Sequence, residues 1–205
     1  MTCIIGMIDN GKAYMGADRR ISFGNIKRTM PTYGKIIERS GLLIGTTGYL
    51  KFNNLIRYDL LFNAQPKDMP DDVYVYKVIV EEIRKTAKDN GYMSIHDNEE
   101  KLPEMESLLI YNNKIYTVFG DLSICETEHK FWATGSGGDL AIGALSVLEN
   151  SLDSEEFTYP PEYKIIKALE IAAKYDNSVG APFDIYELGS KVFKTYKNSE
   201  EALSK

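Results

Sequence analysis

Asn10-Gly11 lies between two short apolar runs, residues 3–8 and 13–17, and no other feature limits the chain as much. An Asn-Gly connection of two residues adopts positive φ at both positions, which supplies the twist a tight hairpin needs. Residues 1–9 and 12–18 are therefore expected as paired antiparallel strands. The pattern recurs: 35–38 and 42–46 flank Ser40-Gly41, and 107–111 and 114–119 flank Asn112-Asn113. Segments 123–126, 131–134, 183–188 and 191–196 read as further short strands. Helices fall between these clusters. Phe52, Leu55, Ile56 and Leu60 share one face, and Val73, Tyr76, Val80, Ile83 and Ala87 form the stripe of a second helix. Pro70-Asp71-Asp72 opens that helix and Asn90-Gly91 ends it. A third helix follows Gly135–Asp139 with Leu140, Ala144, Leu145 and Leu148 inward. A fourth follows Pro160-Pro161 with Ile165, Ile166, Leu169, Ala172 and Ala173 apolar. Residues 19–32, broken by Gly24-Asn25 and Pro31, and the polar stretch 92–106 read as irregular surface. Residues 198–205 read as a frayed tail.

Hairpins clustered between grouped helices imply an α+β fold with antiparallel sheets, not alternating βαβ units. Two sheets packed face to face, with a helix pair on each outer face, make a four-layer αββα sandwich. One domain spanning 1–205 is expected, since a chain of this length buries a sizeable core.

Charge and composition remove several functions. Against 24 Lys+Arg stand 30 Asp+Glu, a net charge of -6, which is poor material for neutralising nucleic-acid phosphates. Cys3 and Cys125 have no metal-ligand spacing and are too few for a disulfide scaffold. With only His96 and His129, a Ser/His/Asp triad or a histidine metal site is hard to assemble. No metal or cofactor is expected. Without a basic leader or an apolar run of about eighteen residues, a cytoplasmic location off the membrane is expected.

Three residues at the front of the chain need a joint explanation. Thr2 follows the initiator methionine, Asp18 ends the second strand, and Lys35 begins the third. Paired strands can bring these ends to one sheet edge. A threonine hydroxyl needs a base to take its proton. An α-amine, with an ordinary pKa of about 7.7–8.0, is such a base near neutrality. Removal of Met1 would give residue 2 both groups, with no histidine required. A nearby lysine cation would favour the unprotonated amine, and a carboxylate would compensate the burial of that lysine.

Thr2-Cys3-Ile4-Ile5-Gly6, the Asn10-Gly11 hairpin, and Gly16-Ala17-Asp18-Arg19-Arg20 resemble the start of proteasome β subunits. They also resemble the peptidase of the bacterial two-component ATP-dependent protease. Gly135-Ser136-Gly137-Gly138 and the run 169–188 are similar to later segments of that family. The resemblance implies the N-terminal nucleophile (Ntn) hydrolase fold and a threonine peptidase. Thr2 would be the nucleophile, Asp18 and Lys35 the buried pair, and Ser136, Asp176 and Ser178 the polar network around the terminus. The Gly48 amide would donate to the oxyanion. It also implies a peptide or unfolded-protein substrate, a homo-oligomeric ring and a separate unfolding ATPase. Two departures stand out: Lys35 falls one residue late, and Tyr49-Leu50-Lys51 follow Gly48 where the family has small residues. Two other functions stay open, a non-catalytic ring or scaffold subunit and an Ntn amidohydrolase acting on small amides.

Overall fold

A computed structural model describes residues 2–23, 26–30, 33–96, 99–103, 105–150, 159–190 and 192–204. Met1, Gly24, Asn25, Pro31, Thr32 and Lys191, to which the sequence assigns a processing step, turns or a strand start, lie outside the described residues. In chain order the strands are β1 (Ile4–Asp9), β2 (Lys12–Asp18), β3 (Arg20–Phe23), β4 (Ile26–Thr29), β5 (Ile36–Arg39), β6 (Leu42–Thr46), β7 (Ser94–His96), β8 (Glu99–Lys101), β9 (Ser107–Tyr111), β10 (Lys114–Val118), β11 (Ile124–Glu126), β12 (Phe131–Thr134), β13 (Phe183–Glu187) and β14 (Lys194–Tyr196). The helices are α1 (Leu50–Tyr58), α2 (Asp71–Tyr74), α3 (Glu81–Asp89), α4 (Gly138–Asn150), α5 (Pro161–Tyr175) and α6 (Glu200–Leu203).

The hairpin expectation holds at Asn10 and Gly11, whose φ values are 48° and 75°. β1 and β2 pair with Ile4 opposite Ala17. Two antiparallel five-stranded sheets result, in the orders β12-β1-β2-β13-β14 and β11-β10-β9-β6-β5. Alternation along the strands feeds three apolar cores. Ile4, Met15 and Ala17 of the first sheet meet Ile36, Leu43, Leu108 and Ile110 of the second. The opposite face of that sheet points the other way: Cys3, Ile5, Met7 and Ile185 pack on Leu145, Ile165 and Leu169 of α4 and α5. Ile37, Leu42, Ile44 and Leu109 pack on Phe52 and Ile56 of α1 and on Ile79 and Ile83 of the second helical stretch.

The structure differs from the sequence expectation in five places. Residues 20–29 form the two-stranded ribbon β3–β4, and 94–101 form β7–β8. β4 is exposed along its whole length, so it has none of the alternation that marks a half-buried strand. The second helix runs from Asp71 to Asp89 but is π-helical over Val75–Val80. The wider turn lets Val75 and Val80 both face the core and turns Tyr76 outward, 53% exposed. In α4, Ala141 takes the inward place expected of Leu140. The tail closes with α6, and Ser199 pins it by donating from its hydroxyl to Glu170 Oε2 at 2.7 Å.

Candidate active site

The β1–β2 register brings the Thr2–Cys3 backbone beside Asp18. The Cys3 N–H donates to Asp18 Oδ1 at 3.1 Å, and the Lys35 ammonium donates to the same oxygen at 2.7 Å. The second oxygen accepts from the amides of Arg20 at 2.9 Å and Gly180 at 3.3 Å. Thr2, Asp18 and Lys35 are all buried, with Lys35 only 6% exposed. The displaced spacing of Lys35 therefore does not leave it as a solvated edge residue. Its main chain is held where β5 begins, since its carbonyl accepts from the Thr46 N–H at 3.2 Å. Burial pushes the Lys35 ammonium below the ordinary lysine range, against the pull of Asp18. Burial, and then the Asp18 charge, push the Cys3 thiol up, so Cys3 stays a thiol and packs as core.

Gly135 makes the approach of the next segment possible. Its φ is +91°, and a Cβ there would lie 2.3 Å from the Thr2 carbonyl oxygen. That closeness lets the Gly137 N–H donate to Thr2 O at 3.2 Å, while the Thr2 N–H donates to Ser136 Oγ at 3.2 Å. Asp176 follows α5 and accepts from the Ser178 N–H at 2.8 Å. Burial works to raise the Asp176 carboxyl, but the Ser136 hydroxyl and the Ser178 amide and hydroxyl outweigh it and hold it below the usual carboxylate range. Its Oδ2 is buried with no hydrogen-bond partner among the described residues. Ser136 thus adjoins both Thr2 and Asp176. Ser178 is buried in the same turn.

Sequence reasoning left Arg20 without a role. Its guanidinium donates to the carbonyls of Val179 at 2.6 Å and Asn177 at 3.2 Å, clamping the turn whose Gly180 amide reaches Asp18. Gly180 leaves room for it, because a Cβ there would lie 2.2 Å from the guanidinium. Arg19 pairs elsewhere, with Asp184.

Thr2 lines a cleft of about 1020 Å³ together with Lys35, Thr47, Gly48, Gly135 and Ser136. Gly48 has φ +79°, and its amide donates to no group among the described residues. Met30, Tyr92 and Met105 form a buried apolar wall, and Tyr49, Leu50 and Lys51 stand at the exposed rim. Glu106 also lines the cleft, and sequence reasoning passed over it inside a polar stretch. The signal for it was available only through strand pairing: Thr46 opposite Ser107 puts Thr47 and Glu106 at the same sheet edge. Among the described residues no group of three metal-ligating side chains occurs, and no helix is long and apolar enough to cross a membrane.

No protein-family model and no curated protein matches this chain. Solved structures do. BPH of Thiobacillus denitrificans is 18% identical with a TM-score of 0.72, over 90% of this chain and 96% of that one. Another structure describes the same protein in complex with epoxomicin. Eukaryotic HslV from Trypanosoma brucei is 17% identical with a TM-score of 0.60, over 90% of this chain and 98% of that one. A Gly-1 mutant of Anbu from Hyphomicrobium sp. strain MC1 is 12% identical with a TM-score of 0.65, over 100% of this chain and 95% of that one. All three proteins are of the proteasome type of Ntn peptidase, the family that the sequence motifs resemble. At these identities the likeness fixes a mixed fold of helices and antiparallel sheets in common.

Proposed function

We infer that this chain is a threonine peptidase whose nucleophile is Thr2, exposed by removal of Met1, on a four-layer αββα Ntn-hydrolase sandwich spanning the chain. The observation that carries the reading is the single oxygen of Asp18 shared by the Lys35 ammonium at 2.7 Å and the Cys3 amide at 3.1 Å. That oxygen ties Lys35, the one buried cation of the cleft among the described residues, to the backbone of the residue after Thr2.

The chemistry runs as follows. The freed amine of Thr2 takes the hydroxyl proton as the oxygen attacks the scissile carbonyl. Lys35 lowers the proton affinity of that amine through its charge, and Asp18 keeps the ammonium in place. The Gly48 amide, unengaged and on a positive-φ turn, donates to the oxyanion; such a donor contributes about 3–4 kcal/mol. The amine returns the proton to the leaving amine of the substrate. Water, deprotonated by the same amine, then hydrolyses the ester on Thr2. Ser136, Asp176 and Ser178 hold the terminus oriented, and the unpaired Asp176 Oδ2 is an acceptor available to this network. A homo-oligomeric ring acting on unfolded protein, fed by a separate ATPase, belongs to the same reading and is supported by the likeness to HslV, while a cytoplasmic location belongs to it on the sequence expectation alone.

The test combines three measurements. Mass spectrometry of the purified protein should give Thr2 as the first residue. An electrophilic peptide inhibitor, epoxomicin first because a neighbour holds it, should add to Thr2. Thr2→Ala should abolish peptide turnover while assembly persists by sizing. Retained Met1 with no labelling, or full turnover by Thr2→Ala, sinks the reading.

A further inference from the structure

The cleft beside Thr2 holds a carboxylate that the peptidase chemistry does not use. The main chain of Glu106 is fastened to Thr47 by three hydrogen bonds. The Thr47 N–H and hydroxyl donate to Glu106 O at 3.0 and 2.8 Å, and the Glu106 N–H donates to Thr47 Oγ1 at 2.9 Å. At the other end the Thr134 hydroxyl donates to Glu106 Oε2. The side chain is therefore fixed from both sides, next to the ledge that runs from Thr47 into Gly48. Its Oε1 accepts no hydrogen bond, and no cation lies within ion-pair distance of it among the described residues.

The cations that share the cleft are committed to other groups. Lys35 is on Asp18, and Arg20 is on the carbonyls of Asn177 and Val179. Lys51 stands on the exposed rim, where solvent screens it, and donates to the carbonyls of Asn90 and Gly91. Alongside Glu106 the wall is apolar, formed by buried Met105 and Tyr92. An apolar wall ending in a free carboxylate oxygen matches an aliphatic stem that carries a cationic head. An unpaired negative charge in the cleft that the Gly48 amide lines would also oppose an oxyanion forming there, and a substrate cation would reduce that opposition.

We propose that Glu106 is a specificity-determining residue that selects peptides carrying a lysine or arginine side chain next to the cleaved bond. For cleavage this rests on the peptidase reading; for binding it does not. Peptides that differ only in lysine, norleucine or glutamate at that position are compared in two assays. One is kcat/KM on the mature protein, and the other is equilibrium binding to Thr2→Ala. Lysine should exceed norleucine by about tenfold in both, with glutamate lowest, and salt should shrink the advantage. In Glu106→Gln the lysine-to-norleucine ratio should fall towards one, while Glu106→Asp should keep part of it. A purely structural role lowers both peptides together and leaves the ratio intact, which overturns the proposal. So does a wild-type ratio near one, or a preference for norleucine or glutamate, even if the variants do not fold. Turnover without lysine preference sinks the proposal and spares the peptidase. Binding preference that Glu106→Gln removes, with no peptide turned over, sinks the peptidase and spares the proposal.

Discussion

Asp18 and Arg19 are adjacent in sequence, and each closes a buried ion pair at 2.7 Å, the first with Lys35 and the second with Asp184. The two pairs have different surroundings. Asp18 also takes three backbone amides from three segments, so its charge would remain solvated by the protein if Lys35 were lost. Asp184 is otherwise held by the Thr195 hydroxyl at 2.8 Å, and Arg19 lies over the Phe193 ring. Asp184 is also packed tightly, since a Cβ on Gly34 would come within 2.3 Å of its carboxylate. The cation differs as well. A buried lysine shifts its proton affinity and acts as a point charge, whereas arginine keeps its proton and offers a planar fork. On the peptidase reading the first pair tunes a neighbour. The second fastens β14 to the end of β2.

The sharpest way to break this contrast is Lys35→Met. General-base catalysis by a positioned amine contributes about 10²–10⁴-fold in rate, and Lys35 keeps that amine unprotonated on the peptidase reading, so kcat of the folded variant on a peptide substrate should fall by up to that order. Its thermal stability should fall less, because three amides still serve Asp18. If turnover persists within a few-fold, Lys35 is structural and the two pairs are alike.

Arg19→Met should do the reverse. Breaking a buried pair by removing one partner costs about 3–5 kcal/mol, and Asp184 has little else to hold it. Chemical denaturation should show that loss while kcat of the remaining folded protein stays within about tenfold. Replacing both partners, Arg19→Met with Asp184→Val, should recover much of the stability, as buried pairs exchanged for apolar residues often do. A large kcat defect in Arg19→Met would show that the fastening also tunes the site.

This contrast explains what the sequence made legible. Thr2 and Asp18 were readable together because Asn10-Gly11 fixes the β1–β2 register, and register fixes which side chains share an edge; Lys35 comes from the start of β5 in the second sheet, and only the packing of the two sheets brings it to Asp18. Arg19, Arg20 and Glu106 were not readable in the same way. Their partners, Asp184, Val179 and Thr47, are 165, 159 and 59 residues away, and only the assembled sheets bring them near. The β3–β4 ribbon escaped for a different reason. Its β4 is exposed throughout, so it lacks the apolar runs flanking a turn that marked the hairpins at Asn10-Gly11 and Asn112-Asn113. The π-helical stretch escaped because a 3.6-residue stripe assumes a regular helix, and Tyr74 and Val75 take the inward places that the stripe gives to Val73 and Tyr76.

The smallest expected effect concerns Asp176, which resembles Asp18 in sitting beside Thr2 but lacks a cation of its own among the described residues. Its folded-state pKa is held below the usual value, so its charged form contributes stability above the unfolded pKa near 3.8 and loses it as pH falls through the folded value. Asp176→Asn should therefore lower the thermal midpoint slightly at pH 6. The gap should begin to close below pH 3.8 and vanish only once the pH has passed the lower folded-state value, where the wild-type carboxyl is itself neutral. Asp18→Asn should cost more at pH 6: four donors converge on that carboxylate, one of them an ammonium, and an amide can serve fewer of them. A gap for Asp176→Asn that stays constant from pH 6 to pH 3 would mean that shape, not charge, is what this residue supplies, and the polar network around the terminus would then rest on Ser136 and Ser178.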